Sequence, residues 1–218
     1  MDRSVLRYTQ LVAVVMLLLL VVPMAGCTSA LATALWVIRG NNVDAEYDGL
    51  RDKTVAVACY PLVELKYRNS GVAKHIARQI GVLLERNVRK IKVVDHRKVA
   101  EWVDEHGLEE YTEIGEALEA DMVVGVDLEQ FDIYQDQTIY QGTANVTIKV
   151  FDCHTDELVF EKILPQVVYP PNTGIPATDK QERQFRREFV SVVADQIARH
   201  FYPHDAHADF AQDTLLLD

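Results

Sequence analysis

The sequence predicts an α/β fold: a mixed sheet in two or three layers, with a parallel β-α-β-α-β core followed by an antiparallel hairpin and a C-terminal helix. Three observations predict it. Thr54–Leu62 and Met122–Leu128 are continuous apolar runs, as expected of strands buried on both faces. Between them lie segments whose apolar residues recur at helical spacing. Gln141–Asp152 then alternates strictly, with Gly142, Ala144, Val146, Ile148 and Val150 on one side and Gln141, Thr143, Asn145, Thr147 and Lys149 on the other. Such a strand has one solvated face, which antiparallel pairing allows.

The elements follow in order. Pro61 ends the first strand. Ser70 is placed to cap a helix over Gly71–Lys90, with Val72, Ile76, Ile80, Leu83, Leu84 and Val88 as its apolar stripe. Ile91–Val94 makes a short second strand. Asp95 caps a second helix that turns Val99, Trp102 and Val103 inward and ends at Gly107. Thr112–Glu119 forms a third helix before the Met122 strand, and the strand-helix repeat implies right-handed parallel crossovers. His154–Glu157 turns the chain into Leu158–Leu164, the hairpin partner. Pro165, Pro170, Pro171 and Pro176 mark an extended loop. A capping box at Thr178–Gln181 opens the last helix, with its stripe at Phe185, Phe189, Val192, Val193 and Ile197.

The N-terminus carries a separate signal. Arg3 and Arg7 precede an apolar run, Leu11–Val22, and then Pro23-Met24-Ala25-Gly26-Cys27. As a helix the run is about 18 Å long, short of a bilayer core of about 30 Å. Charged, apolar and small-residue regions in this order make a secretory signal. Met24–Cys27 resembles the bacterial lipobox, with Met in the usual Leu place. That resemblance implies cleavage before Cys27, a diacylglyceryl group on its thiol and acylation of the new amine. Two or three acyl chains anchor firmly where one is marginal. The second reading is an uncleaved signal anchor from about Leu17 to Ile38, interrupted by Pro23 and Gly26. Both readings send the C-terminal domain out of the cytoplasm, because Arg3 and Arg7 stay inside. The resulting domain map is a signal at 1–26, a lipid-anchored linker at 27–52, one α/β domain at 53–202 and an acidic tail at 203–218.

Val55-Ala56-Val57, then Val93-Val94-Asp95-His96-Arg97, then Ile114-Gly115 and Ala120-Asp121-Met122-Val123-Val124-Gly125 together resemble the core of the CsgG/LpoB/TolB-N-terminal group of envelope proteins. The resemblance spans Thr54–Leu164. It implies an interaction domain, and many members of the group are lipoproteins.

The remaining chemistry is sparse. The net charge is −11, so phosphate backbones repel the chain and nucleic acid is no expected partner. Anionic headgroups do not attract it either, so the membrane is reached through the anchor. No Walker loop, Gly-x-Ser-x-Gly, His-Glu-x-x-His or Cys-x-x-Cys occurs, and no cofactor is implied. Acidic pairs such as Asp104-Glu105 and Glu109-Glu110 read as solvated surface. His200, His204 and His207, near Asp205 and Asp209, are the weak metal candidates; Pro203 denies them a common helix face. Cys59 and Cys153 are expected to stay unpaired, at opposite ends of the sheet. The proline loop is long for a strand-to-helix link, so Tyr169, Pro170, Pro171, Asn172 and Ile175 are its expected docking residues, or else cover for the sheet edge. The leading expectation is a non-enzymatic envelope lipoprotein that docks on an envelope protein, with homo-oligomers possible. The alternatives are an envelope hydrolase using acidic residues and an oligomeric transport or secretion accessory. Metabolic labelling with a fatty-acid probe tests the anchor: the wild type is labelled and Cys27→Ser is not, and equal labelling refutes the assignment.

Overall fold

A computed structural model describes residues 42–61, 71–107, 110–178 and 180–205. Cys27, the signal segment, Ser70, His207 and the tail from residue 206 lie outside the described residues. The chain divides into two units. In the smaller one the described residues are Asn42, Val43 and Asp205, and Asn42–Val43 is a two-residue strand. The larger one, described over Asp44–His204, holds the sheet.

Its elements are β1 (Thr54–Pro61), α1 (Val72–Asn87), β2 (Lys92–Val93), α2 (His96–His106), α3 (Tyr111–Ala117), β3 (Met122–Asp136), β4 (Ile139–Asp152), β5 (Glu157–Ile163), β6 (Val167–Tyr169), β7 (Ile175–Pro176) and α4 (Glu182–Ala198). The strand order is β2-β1-β3-β4-β5, and β6 and β7 also pair with β4. β1 is parallel to β2 and to β3, and every pairing of β4 is antiparallel. The sheet is therefore mixed, with a parallel half and an antiparallel half.

The parallel half is covered on both sides. Val55 and Val57 face the main core with α1 and α4, while Ala56 and Ala58 face a second core built by α2 and α3 around Val99, Tyr111 and Ile114. In the second core Ala56, Ala58 and Ala120 leave room for the larger Val99, Tyr111 and Ile114. A Cβ on Gly125 would sit 2.8 Å from Tyr111 ring carbons, so the ring rests directly on the strand backbone. Gly115 likewise leaves the space that the Cys153 thiol fills. These are the glycines of the Ile114-Gly115 and Gly125 motif.

Asp121 fixes the parallel register. Its N–H donates to the Thr54 carbonyl (2.8 Å), and its Oδ2 accepts from the Thr54 N–H (2.7 Å). Its carbonyl accepts from the Cys153 N–H (3.0 Å), and its Oδ1 lies 3.2 Å from His154 Nε2. The Thr54 N–H, then His154, hold its carboxyl below the usual range. One residue thus joins the start of β1, the start of β3 and the end of β4.

Several local expectations change in the structure. β3 continues eight residues past Leu128, because Phe131 and Ile133 resume the inward pattern after a register shift between Leu128 and Gln130. Asp136 then closes the hairpin by accepting from the Thr138 N–H (2.7 Å). α1 stops at Asn87, since Val88 is extended and buried and Lys90 has a positive φ. Asp95 caps α2 by accepting from the Arg97 N–H (2.9 Å), and Gly107 ends it at φ 78. The Thr178–Gln181 capping box is displaced: Gln181 itself is the cap, through its carbonyl, with no side-chain bond. The expected linker also contracts. Leu50 is fully buried, and the Tyr47 ring packs on Phe160 (5.3 Å) and Phe201 (6.4 Å). Apolar burial holds Asp44–Asp52 on the sheet despite its polar composition.

The close approach at Gly125 makes a specific prediction. Gly125→Ala forces the Tyr111 ring off the strand and lowers stability by about 1–3 kcal/mol, an overpacking cost. The urea midpoint should fall at unchanged m-value; an unchanged midpoint refutes the packing account.

Candidate docking groove

β4 is served by β5 along Thr147–Asp152 and by β6 along Gly142–Ala144. Between them the chain turns a corner at Leu164–Gln166, and the Leu164 N–H still donates to the Val146 carbonyl (3.0 Å). α4 and the 3-10 turn Arg199–Phe201 run beside that corner. Together they enclose a groove of about 730 Å³. Leu164, Val167 and Tyr169 form its buried floor and Val192 its wall, and Ile163 stands at its mouth, 73% exposed. Lys162, Arg199 and His200 line the polar end.

That polar end is internally satisfied. Glu46 takes Lys162 at 2.9 Å and His200 at 3.2 Å. The Lys162 hydrogen bond is the main reason its carboxyl is held below the usual range. Burial pushes His200 below its ordinary value, against the pull of Glu46. The buried Arg199 pairs with Asp195 at 2.5 Å. Glu46 of the N-terminal segment thus joins β5, through Lys162, to the 3-10 turn after α4, through His200.

The residues expected on the proline loop divide between core and surface. Tyr169 is buried and stacks on Phe185, with ring centroids 6.0 Å apart. Pro170 is buried, and its carbonyl accepts from Gln141 Nε2 (3.0 Å). Ile175 is half-buried, in register with Tyr140. Pro171 and Asn172 are exposed. Tyr169 and Pro171 line the groove; Pro170, Asn172 and Ile175 do not. From the sequence, Val192 belongs to the apolar stripe of the last helix and Ile163 falls within the hairpin partner Leu158–Leu164. The usable signal was parity: Phe160 and Lys162 share one side of β5, opposite Val150 and Ile148, so Ile163 falls on the other side, where it is exposed.

The histidines separate. His200 pairs with Glu46, and His204 Nδ1 lies 3.3 Å from the Tyr202 carbonyl. Among the described residues no three His, Cys, Asp or Glu side chains converge on a metal-sized site.

Two further cavities differ in character. One, of about 680 Å³, lies over the solvated side of the sheet. Its rim carries Glu113 and Glu116, and at its base Asp127 accepts from the Tyr111 hydroxyl (2.7 Å) and pairs with Lys149 (2.9 Å). Burial, then Asp127, drives the Tyr111 hydroxyl far above its ordinary value, and Asp127 raises Lys149. The base is thus a closed network. The other, of about 700 Å³, lies between α1 and α2 beside Cys59. Cys59 and Cys153 are both free. Cys59 is in register with Val126 and so with Ile148 of β4, whereas Cys153 follows the end of that strand, on the order of 16 Å farther along at about 3.3 Å per residue. Burial pushes Cys153 up to about 11 and Cys59 higher still, so both stay protonated at neutral pH.

The division of the proline loop is testable. Tyr169→Ala removes a buried aromatic and should cost about 3–5 kcal/mol, whereas Pro171→Ala and Asn172→Ala, both exposed, should change stability by less than about 0.5 kcal/mol. Denaturant melts of the three variants check this, and a mild Tyr169→Ala effect contradicts its place in the groove floor.

No family model matches the chain, and no curated protein matches its sequence. Among solved structures, the chain is similar to the PelC dodecamer from Paraburkholderia phytofirmans, at 9% identity over 74% of this chain and 96% of that one, with a TM-score of 0.45. It is similar to lipoprotein GNA1162 from Neisseria meningitidis, at 10% identity over 67% and 98%, with a TM-score of 0.41. It is also similar to the LpoB C-terminal domain from Salmonella enterica, at 12% identity over 56% and 87%, with a TM-score of 0.38.

Proposed function

We propose that this protein is a non-enzymatic bacterial envelope lipoprotein, tethered through Cys27, whose α/β domain holds a partner protein in the groove beside α4. The observation that carries the reading is the groove itself: an apolar floor at a sheet corner, an exposed Ile163 at its mouth, and a polar end already neutralised. A preformed groove with an apolar floor and a few satisfied polar groups is how binding sites are built. The floor suits an extended partner segment that inserts apolar side chains. The carboxylate best placed for hydrolysis, Asp127, spends its oxygens on Tyr111 and Lys149. The anchor is read from the Met24–Cys27 motif, and the tether ends where Asp44 begins the packed domain.

Photo-crosslinking in the native envelope tests the reading. A photoreactive residue at Gln166 or at Pro171, both exposed beside the floor, should give the same discrete adduct, and one at Glu101, exposed on α2, should not. No adduct from the groove positions, or the same adduct from Glu101, overturns the reading. An adduct of twice the chain's own mass overturns it too, because it assigns the groove to self-contact.

A further inference from the structure

We propose that the β2 edge of the sheet is a membrane-facing surface, whose cations rest on the anionic phospholipid headgroups of the bilayer that holds the tether. The inference rests on the tether read from the N-terminus and is independent of the docking groove. Residues 86–98 carry six Lys and Arg and a single Asp, in a chain whose net charge is −11. The fold puts this run on one rim: the last turn of α1, the outermost strand β2 and the first turn of α2. All six cations are exposed. Two are taken by neighbouring acids, Lys90 by Asp52 (3.1 Å) and Arg97 by Asp95 (2.7 Å). Among the described residues, the side chains of Arg86, Arg89, Lys92 and Lys98 take no hydrogen bond or ion pair. Glu85, also exposed at the end of α1, offsets at most one of the four. Stability does not account for this placement. Arg86 suits the negative end of α1, but Arg97 and Lys98 stand in the first turn of α2, where the helix dipole disfavours cations.

The shape of the patch selects the occupant. None of the cavities described above is lined by Arg86, Arg89, Lys92 or Lys98, so the patch is not a pocket for a small anion. The cations stand on a narrow edge of an otherwise acidic domain, and farther along α2 come the exposed Glu101 and Glu105. A planar anionic surface can meet that edge and stay clear of the acidic faces, whereas a long soluble polyanion lying across it runs onto them. Each Lys or Arg near an anionic bilayer strengthens binding roughly fivefold, and the tether keeps the patch at a high effective concentration over the headgroups. The net charge alone predicts no attraction to headgroups; the distribution of charge reverses this at one edge. β2 and β5 are the two ends of the strand order, four strand spacings or roughly 19 Å apart. Seating β2 on the bilayer therefore turns β5 and the groove beside it away from the membrane.

The test uses the full-length chain, purified from membranes, in vesicles of phosphatidylcholine alone or of equal parts phosphatidylcholine and phosphatidylglycerol. A fluorophore on Asn87→Cys, exposed and uncharged beside the patch, is quenched by a nitroxide carried on lipid headgroups, with wild type as the background from Cys59 and Cys153. Quenching should be roughly threefold stronger in the phosphatidylglycerol vesicles, and about 1 M salt, where the screening length is about 3 Å, should remove the difference. Arg89→Glu, Lys92→Glu and Lys98→Glu together should remove it as well, and a thermal melt of that variant checks that the fold is kept. The same fluorophore on Pro171→Cys, in the groove, should be quenched weakly and equally in both vesicles. Equal quenching at Asn87→Cys in both vesicles overturns the proposal, as does a difference that survives the charge reversal. Stronger quenching at Pro171→Cys than at Asn87→Cys overturns it too. Loss of the difference on adding long-chain polyphosphate, in amounts below the exposed lipid, assigns the patch to a soluble polyanion and overturns the lipid reading. Co-flotation with phosphatidylcholine vesicles reports the tether separately, so failure of the patch and failure of the tether give different results.

Discussion

The parallel pairing of β1 with β3 is the constraint on which the rest of the architecture depends. A strand buried on both faces has no water to satisfy its ends, so its first backbone groups need partners. Asp121 supplies them from main chain and side chain together, and its carbonyl then takes the end of β4. With the register pinned there, Ala56, Ala58 and Gly125 fall under α2 and Tyr111, while Val55 and Val57 fall under α1 and α4. A slip of one residue would exchange the two sets, driving Val55 and Val57 into the places of Ala56 and Ala58.

β4 plays the corresponding part in the other half. It pairs with β3, β5, β6 and β7, and its alternation divides a core of Ala144, Val146, Ile148 and Val150 from a polar side of Asn145, Thr147 and Lys149. The polar side is bonded within itself, through Thr147 to Glu129 at 2.8 Å and Lys149 to Asp127 at 2.9 Å. Exposed apolar side chains stand on β5, at Leu158, Val159 and Ile163, and also on α1 at Val82 and on β3 at Tyr134.

Much of the fold was legible in the sequence because its signals are local and periodic. The two-sided apolar run of β1, the strict alternation of β4, and Asp95 and Gly107 at the ends of α2 each state their structure within a few residues. The outer half of β3 was not, because a register shift after Leu128 breaks the alternation that would have marked Phe131 and Ile133. Asp44–Asp52 hid for a different reason: two apolar residues, Tyr47 and Leu50, hold a polar segment down, and composition averages them away. The groove was the least legible. Its parts come from two short strands and a helix that no single periodic pattern spans, and Tyr169 has the composition of a surface anchor but the environment of a core residue. No local pattern distinguishes those two fates.

The division of the sheet into halves has a kinetic consequence. β3 through β7 follow one another along the chain, so each closes a short loop onto β4 or its neighbour and loses little chain entropy in doing so. β1 must instead find β3 across the separation of Val55 from Met122, with three helices and a strand between. Short-range contacts form sooner than long-range ones. The antiparallel half can therefore assemble first, and a chain that emerges N-terminus first holds β1 and α1 in waiting until β3, steadied by β4, provides the edge against which they fold.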